Sequence, residues 1–202
     1  MTKGVFAMLG DFNLSEENKI ALIEPKIKEI IEILDPSPER SGVRETPNRV
    51  AKAWLYWTQG YTIDPLKLLK QFDDGGEEYD EYVCLRNIPF HSHCEHHHAP
   101  FFGHATIAYI PDKNIVGISK LARVLDAYAR RFQVQERITV QVANALQFVL
   151  RPKGVAVHLT AEHMCMSSRG VRTHGTQTVT TKFHGAFKDD HMVRAEFLAS
   201  VK

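Results

Sequence analysis

The densest group of reactive side chains in this 202-residue chain is Cys94-Glu95-His96-His97-His98. Of 11 histidines, five (His91, His93, His96, His97 and His98) fall between positions 91 and 98. Thiolate and imidazole are the ligands zinc prefers, and the ion takes three or four of them. Two ligands this close in sequence need a remote partner. Cys165 is the candidate, and Cys84 is the only other cysteine that competes. A Cys/His/Cys set leaves one position open for water, which is the catalytic rather than the structural arrangement. Spacing does not choose the histidine. An extended segment pairs Cys94 with His96 and His98 on one face, whereas a turn pairs it with His97 at i,i+3.

His163 precedes Cys165 by two residues. On an alternating strand both would share a face, placing an imidazole beside the metal as a general acid–base. Ser119 is placed to cap a helix, with Lys120 in its first turn and Arg123 one turn on. A capped helix N-terminus with two cations on one edge is an anion site. Arg169 and Arg172 follow Cys165 with no acid nearby, so a phosphorylated substrate is expected. Gln135-Glu136 opens a further helix, where a carboxylate ordinarily serves the helix dipole. Taken singly, a sheet histidine and solvated surface cations are ordinary features. Their grouping around one cysteine pair is what points to chemistry.

The elements that must position these residues follow from periodicity. Residues 1–14 show none and read as a loose arm. From Ser15, apolar residues at Ile20, Ile23, Ile27, Ile30, Ile31 and Leu34 predict a helix, kinked or restarted at Pro25. Thr46-Pro47 begins a second helix that runs to about Thr58. Asp73 to Glu81 is an acidic loop. Tyr82–Phe90 and His104–Ile110 read as strands, and helices follow from Ser119 and from Val134 to Leu150. Val155–Met166 alternates as a strand, Thr176–Phe187 is another, and Asp190–Val201 is a final helix. Strands and helices are segregated, which predicts an α+β fold: a four-stranded antiparallel sheet with two helices packed on one face, preceded by an N-terminal helical segment. The expected organisation is an arm over 1–14, a helical segment over 15–72 and a catalytic domain over 73–202.

Composition limits the alternatives. Twenty-five Lys and Arg against 24 Asp and Glu give a net charge of +1, which argues against a nucleic-acid coat or a polybasic membrane binder. No apolar run approaches the ~18 residues of a membrane span. Three irregularly spaced cysteines make no disulfide framework, and the chain reads as cytoplasmic.

Cys94-Glu95-His96-His97 followed by Pro100, Gly103 and Tyr109-Ile110-Pro111 resembles GTP cyclohydrolase I. So do Gly117-Ile118-Ser119-Lys120-Leu121-Ala122-Arg123, Arg130-Arg131-Phe132-Gln133-Val134-Gln135-Glu136-Arg137, and His163-Met164-Cys165-Met166 with Arg169-Gly170-Val171. The resemblance covers the chain from about Asp35 to the C-terminus. It implies Zn2+ held by Cys94, His97 and Cys165, with His96 and His163 as catalytic histidines. It implies that Glu136 with Gln135 anchors the guanine, and that Ser119, Lys120, Arg123 and Arg169 surround the ribose and triphosphate. The implied fold is the tunnelling fold, assembled as a homodecamer of two pentamers with active sites between subunits. The implied reaction converts GTP and water to 7,8-dihydroneopterin triphosphate and formate, the entry to folate and tetrahydrobiopterin. No nucleic-acid or membrane partner is implied.

Other readings are weaker. His93-Cys94-Glu95 contains the H-x-E of zinc deaminases, but no P-C-x-x-C accompanies it. A pterin synthase of the same fold would hold zinc with three histidines. A zinc-stabilised nucleotide-binding module would favour a closed fourth ligand and would not need Lys120, Arg123, Glu136 and Arg169 together.

Overall fold

A computed structural model describes residues 14–73, 76 and 79–201. The arm expected over 1–14 lies outside these residues except for Leu14, as does part of the acidic loop. Contacts divide the chain into two compact units, 1–57 and 58–202.

The first unit is a helix pair, α1 (Glu16–Leu34) and α2 (Thr46–Trp57). Ser15 caps α1 by accepting a hydrogen bond from the Asn18 backbone N–H. Pro25 lies inside α1 without ending it, so the helix neither breaks nor restarts there. Asn48 of α2 donates to the Glu24 carboxylate of α1 at 2.7 Å. Ile27 is buried, whereas Ile30 and Leu34 of the expected apolar stripe are exposed.

The second unit holds the cysteine and histidine residues that the sequence singles out. Two 3-10 turns (Gln59–Thr62 and Leu66–Leu68) lead to β1 (Gln71–Phe72), followed by β2 (Val83–Cys94) and β3 (Pro100–Ile110). β4 (Ile115–Val116) pairs with β1. Then come α3 (Ile118–Ala129), β5 (Phe132–Gln133), α4 (Gln135–Leu150), β6 (Gly154–His163) and the helical turn α5 (Met164–Ser167). The chain closes with β7 (Thr178–Gly185), the turn α6 (Ala186–Asp189) and α7 (His191–Ser200). Asp190 caps α7 by accepting from the Met192 and Val193 backbone N–H groups.

The architecture is α+β, and the main sheet has the order β5-β2-β3-β6-β7. Its four long strands are antiparallel, as expected. The expected count of four is one short, because two-residue β5 adds to β2 in parallel. A pairing of two residues carries no alternation, so periodicity could not reveal it. The strands also start and stop differently from their apolar runs. β2 continues through polar residues to Cys94, and β3 begins at Pro100.

Alternation places Ile88, Phe90, Phe101, Ala105, Ile107, Val155, Val157 and Leu159 on one face of the sheet. Leu121, Val124 and Leu125 of α3 and Ile138, Val142 and Leu146 of α4 close over them at helical spacing. This is the main core. The opposite face is not bare. Phe187 and Phe197 from α6 and α7 pack with Ala108, Ile110 and Ala156. Helical structure therefore lies on both faces, not one.

Gly103 makes the β3–β6 pairing possible. A Cβ there would sit 1.9 Å from the Thr160 carbonyl oxygen and 2.7 Å from Ala161 Cα. Among the described residues no helix is long and apolar enough to cross a membrane.

Candidate active site

Sheet register gathers the reactive residues at one end of the sheet. β2 ends at Cys94 beside Gln133 of β5. β3 starts at Pro100 opposite His93, and Phe101 lies opposite His163, the last residue of β6. α4 begins at Gln135, directly after β5.

Residues 94–99 form a tight turn. Cys94 N–H donates to Ala99 O at 2.9 Å, and His98 N–H donates to Cys94 O at 2.8 Å. His98 adopts φ 52°, the left-handed region that reverses the chain. Its ring stacks on Phe132 with centroids 4.0 Å apart. The segment is therefore turned rather than extended, the alternative that pairs Cys94 with His97 at i,i+3. His97 Nδ1 lies 3.8 Å from Cys94 Sγ, and His96 Nδ1 lies 3.5 Å from it.

Two anchors tie this turn to β5 and α4. Glu95 N–H donates to Gln133 O at 3.0 Å. Arg137 forks onto the Glu95 carboxylate, with Nη1 at 2.6 Å and Nη2 at 3.0 Å. The Arg137 hydrogen bond holds the Glu95 carboxyl below the usual carboxylate range. Gln133 is buried and donates from its amide to Tyr128 O and Gln141 Oε1.

Cys165 completes the group. The ligand atoms of Cys94, His97 and Cys165 all lie within 4.8 Å of one another. β6 ends at His163, so Cys165 is not on the strand as the alternation predicted. It is carried on the helical turn α5, which bends it back toward Cys94. Burial, and then the neighbouring Cys94 thiol, push the Cys165 thiol up. Two crowded thiols resist ionising together, and a divalent cation relieves that repulsion. Two sulfurs and one imidazole nitrogen are a zinc-type donor set. The residues present therefore fit a metal ion. Cys84 lies near the start of β2, opposite Ala108, in the other hydrophobic cluster.

His163 is held rigidly. Its ring lies parallel to the Phe101 ring, 4.5 Å between centroids and 4° between planes. Its Nε2 is 2.8 Å from Gln135 Oε1. Burial lowers its pKa, and the negative charge of Glu136 opposes that by raising it. Gln135, expected beside Glu136 at the guanine, faces inward with 1% of its surface exposed. Consecutive helical residues point about 100° apart, so Glu136 faces out where Gln135 faces the sheet.

The cations are arranged differently from expectation. Gly117, not Ser119, is the N-cap of α3, and it offers no side-chain cap. Ser119 is the second helical residue and is exposed, as is Arg123, while Lys120 is half-buried. Among the described residues no hydrogen bond or ion pair engages these three side chains. Arg169 lies close enough to Cys165 for its charge to favour the thiolate. Sequence reasoning missed Phe101, and it missed Gln133 and Arg137 as anchors of the metal turn. The four-residue step from Gln133 to Arg137 was visible, but their shared partner Glu95, in the turn after β2, was not.

A sequence profile described as GTP cyclohydrolase I matches residues 23–202. The chain is 54% identical over 170 residues to GTP cyclohydrolase 1 of Nitrosospira multiformis, covering 84% of this chain and 89% of that one. It is 52% identical over 165 residues to the Janthinobacterium enzyme of the same name, covering 82% and 83%. Against GTP cyclohydrolase 1 of Bartonella bacilliformis it is 43% identical over 199 residues, covering 98% and 97%.

Proposed function

The chain belongs to the GTP cyclohydrolase I family, and from that premise we propose that it hydrolyses GTP to 7,8-dihydroneopterin triphosphate and formate, the first step of pterin biosynthesis. The observation that carries the reading is the meeting of Cys94, His97 and Cys165 within 4.8 Å. His163 lies at the same end of the sheet, opposite Phe101.

Cys94, His97 and Cys165 are the residues to hold zinc. Zinc bound there supplies a water whose pKa is lowered toward ~7. The remaining work belongs to the chain's own residues. C8 of guanine lies between two nitrogens and becomes electrophilic when N7 is protonated. His163 holds the proton for N7. Glu136 accepts the N1–H and N2 amino hydrogens of guanine. Ser119, Lys120, Arg123 and Arg169 bind the ribose and triphosphate. Water adds at C8, the ring opens, and a second hydrolysis releases C8 as formate. His96 and Ser119 are the groups offered for the proton transfers at the sugar.

The active unit is a decamer of two pentamers with sites between subunits. Both edges of the main sheet support this. Among the described residues the outer edge of β7 carries no strand, and β2 is paired on its outer side only at His93 and Cys94. Such edges invite pairing with a neighbour. Residues 73–202 form the catalytic domain and 15–72 the helical segment that precedes it, and the enzyme works in the cytoplasm.

The test is incubation of zinc-loaded protein with GTP, scoring formate and the fluorescence of the oxidised pterin. Both products are expected. Neither product from metal-replete protein would overturn the reading.

A further inference from the structure

Gln135 is the most thoroughly engaged buried polar side chain near the site. Its Nε2 donates toward Thr178 O at 2.9 Å, Thr180 Oγ1 at 3.1 Å and Leu159 O at 3.2 Å. Thr139 Oγ1 donates to Gln135 O at 2.9 Å and lies 2.7 Å from Thr180 Oγ1. Gln135 and Thr139 are each 1% exposed, so water does not substitute for these partners. The network joins the first turn of α4 to β6 and β7.

This arrangement settles which end of the amide faces His163. Thr178 O and Leu159 O are backbone carbonyls, which only accept. The atom between them must be the NH2 group, because an amide oxygen there would meet two other oxygens. The Gln135 oxygen is therefore the atom 2.8 Å from His163 Nε2. An amide oxygen also only accepts, so Nε2 must carry the hydrogen. Neutral imidazole has one N–H, and with Nε2 occupied the lone pair is on Nδ1. The Phe101 ring, 4.5 Å away and parallel, prevents the imidazole from turning over.

We propose that Gln135 is a positioning residue that fixes His163 as the Nε2–H tautomer and presents Nδ1 as the atom that exchanges protons with substrate. The proposal rests on His163 being the proton-transferring histidine, as proposed above. It removes Gln135 from the guanine contacts and leaves that recognition to Glu136. The proton balance is simple. Nδ1 takes a proton from water, leaving hydroxide, and delivers it to N7 of the base, which returns the ring to its neutral form, while the Nε2–H bond to Gln135 remains intact throughout. Thr180 holds the side-chain amide from behind, and Thr139 braces Thr180 and the Gln135 backbone carbonyl.

The experiment uses zinc-loaded enzyme labelled with 15N in histidine. The His163 ring signals are identified by their loss in His163→Gln. In the unsubstituted protein the His163 ring N–H is expected on Nε2 and protected from exchange. That measurement does not depend on any variant of the network folding. Gln135→Met keeps the length of the side chain and removes its hydrogen bonds. It is expected to lose the protected N–H, to keep its zinc, and to lower kcat about 10–100-fold, taking as the scale the loss seen when the partner that orients a metal-bound histidine is removed. KM for GTP should stay within about twofold, since no substrate contact is lost. An N–H on Nδ1 in the unsubstituted protein would overturn the proposal. So would a Gln135→Met enzyme with raised KM and unchanged kcat, the pattern of a guanine contact. Normal formate release by His163→Gln would instead show that the underlying reading of His163 is wrong, whatever the tautomer.

Discussion

Replacing Gly103 by alanine tests whether strand spacing, rather than any reactive group, controls the site. The new methyl carbon would lie 1.9 Å from Thr160 O and 2.7 Å from Ala161 Cα, where real Cβ atoms do not approach within 3.0 Å. Both obstacles are backbone, so no side chain can swing aside. β3 and β6 must separate locally by roughly 1 Å. Gly103 pairs with Ala161, and two residues along the same ladder Phe101 pairs with His163. The separation therefore reaches the stacked rings of Phe101 and His163, the proposed proton-transferring imidazole. Overpacking of a core costs typically about 1–3 kcal/mol, and an obstacle made of backbone belongs at the upper end. At roughly 2–4 °C per kcal/mol for a chain of this size, the melting temperature should fall by about 6–12 °C. A misplacement of about 1 Å can cost on the order of 10²-fold in rate, so kcat should fall by more than the stability change alone explains. Gly42→Ala is the control, because a Cβ there meets nothing within 4 Å. Differential scanning calorimetry and steady-state turnover of GTP decide the matter. If Gly103→Ala melts and turns over like Gly42→Ala, the steric reasoning is wrong.

Three further outcomes are expected. Cys94→Ser and Cys165→Ser should each lose bound zinc and ring opening, whereas Cys84→Ser keeps both, because Cys84 lies in the other hydrophobic cluster; metal analysis of the purified variants checks this, and full occupancy in Cys165→Ser would refute the ligand set. Glu136→Gln should keep its zinc but lose most GTP turnover: two hydrogen bonds to a charged acceptor at roughly 1.5–3 kcal/mol each amount to about 10²–10⁴ in kcat/KM. Turnover near normal would reduce Glu136 to a partner of its helix dipole. Acid should destabilise the fold, because burial lowers the pKa of His93, His158, His163 and His184. The unfolded chain then binds more protons than the folded one, so this stability is complete above the unfolded value of about 6.5 and is lost as pH falls through the lower folded values. Melting temperatures measured with a chelator present, so that metal release does not contribute, should drop below about pH 6.5, and a flat profile would contradict the burial argument.

Much of the molecule was legible in the sequence. The apolar steps of α4 and the alternation of β6 report which side of an element is buried, and that local information survives in the fold. Asp190 beginning α7 and Ser15 beginning α1 were legible because a cap bonds within three residues. Cys94, His97 and Cys165 were recognisable as a set by resemblance, while spacing alone left His96, His97 and His98 equivalent. What removed that ambiguity was tertiary. His98 takes a left-handed conformation and lies on Phe132, whose position depends on β5 joining β2. Arg137 reaches Glu95 across 42 residues, and Gln135 reaches Thr180 across 45. Cys165 sits on a helical turn because β6 stops two residues short of it. Hydrophobic periodicity sets the face of an element but not its register or its end. The inward turn of Gln135, the orientation of His163 and the shape of the turn over residues 94–99 depend on register and ends, so only the folded sheet could decide them.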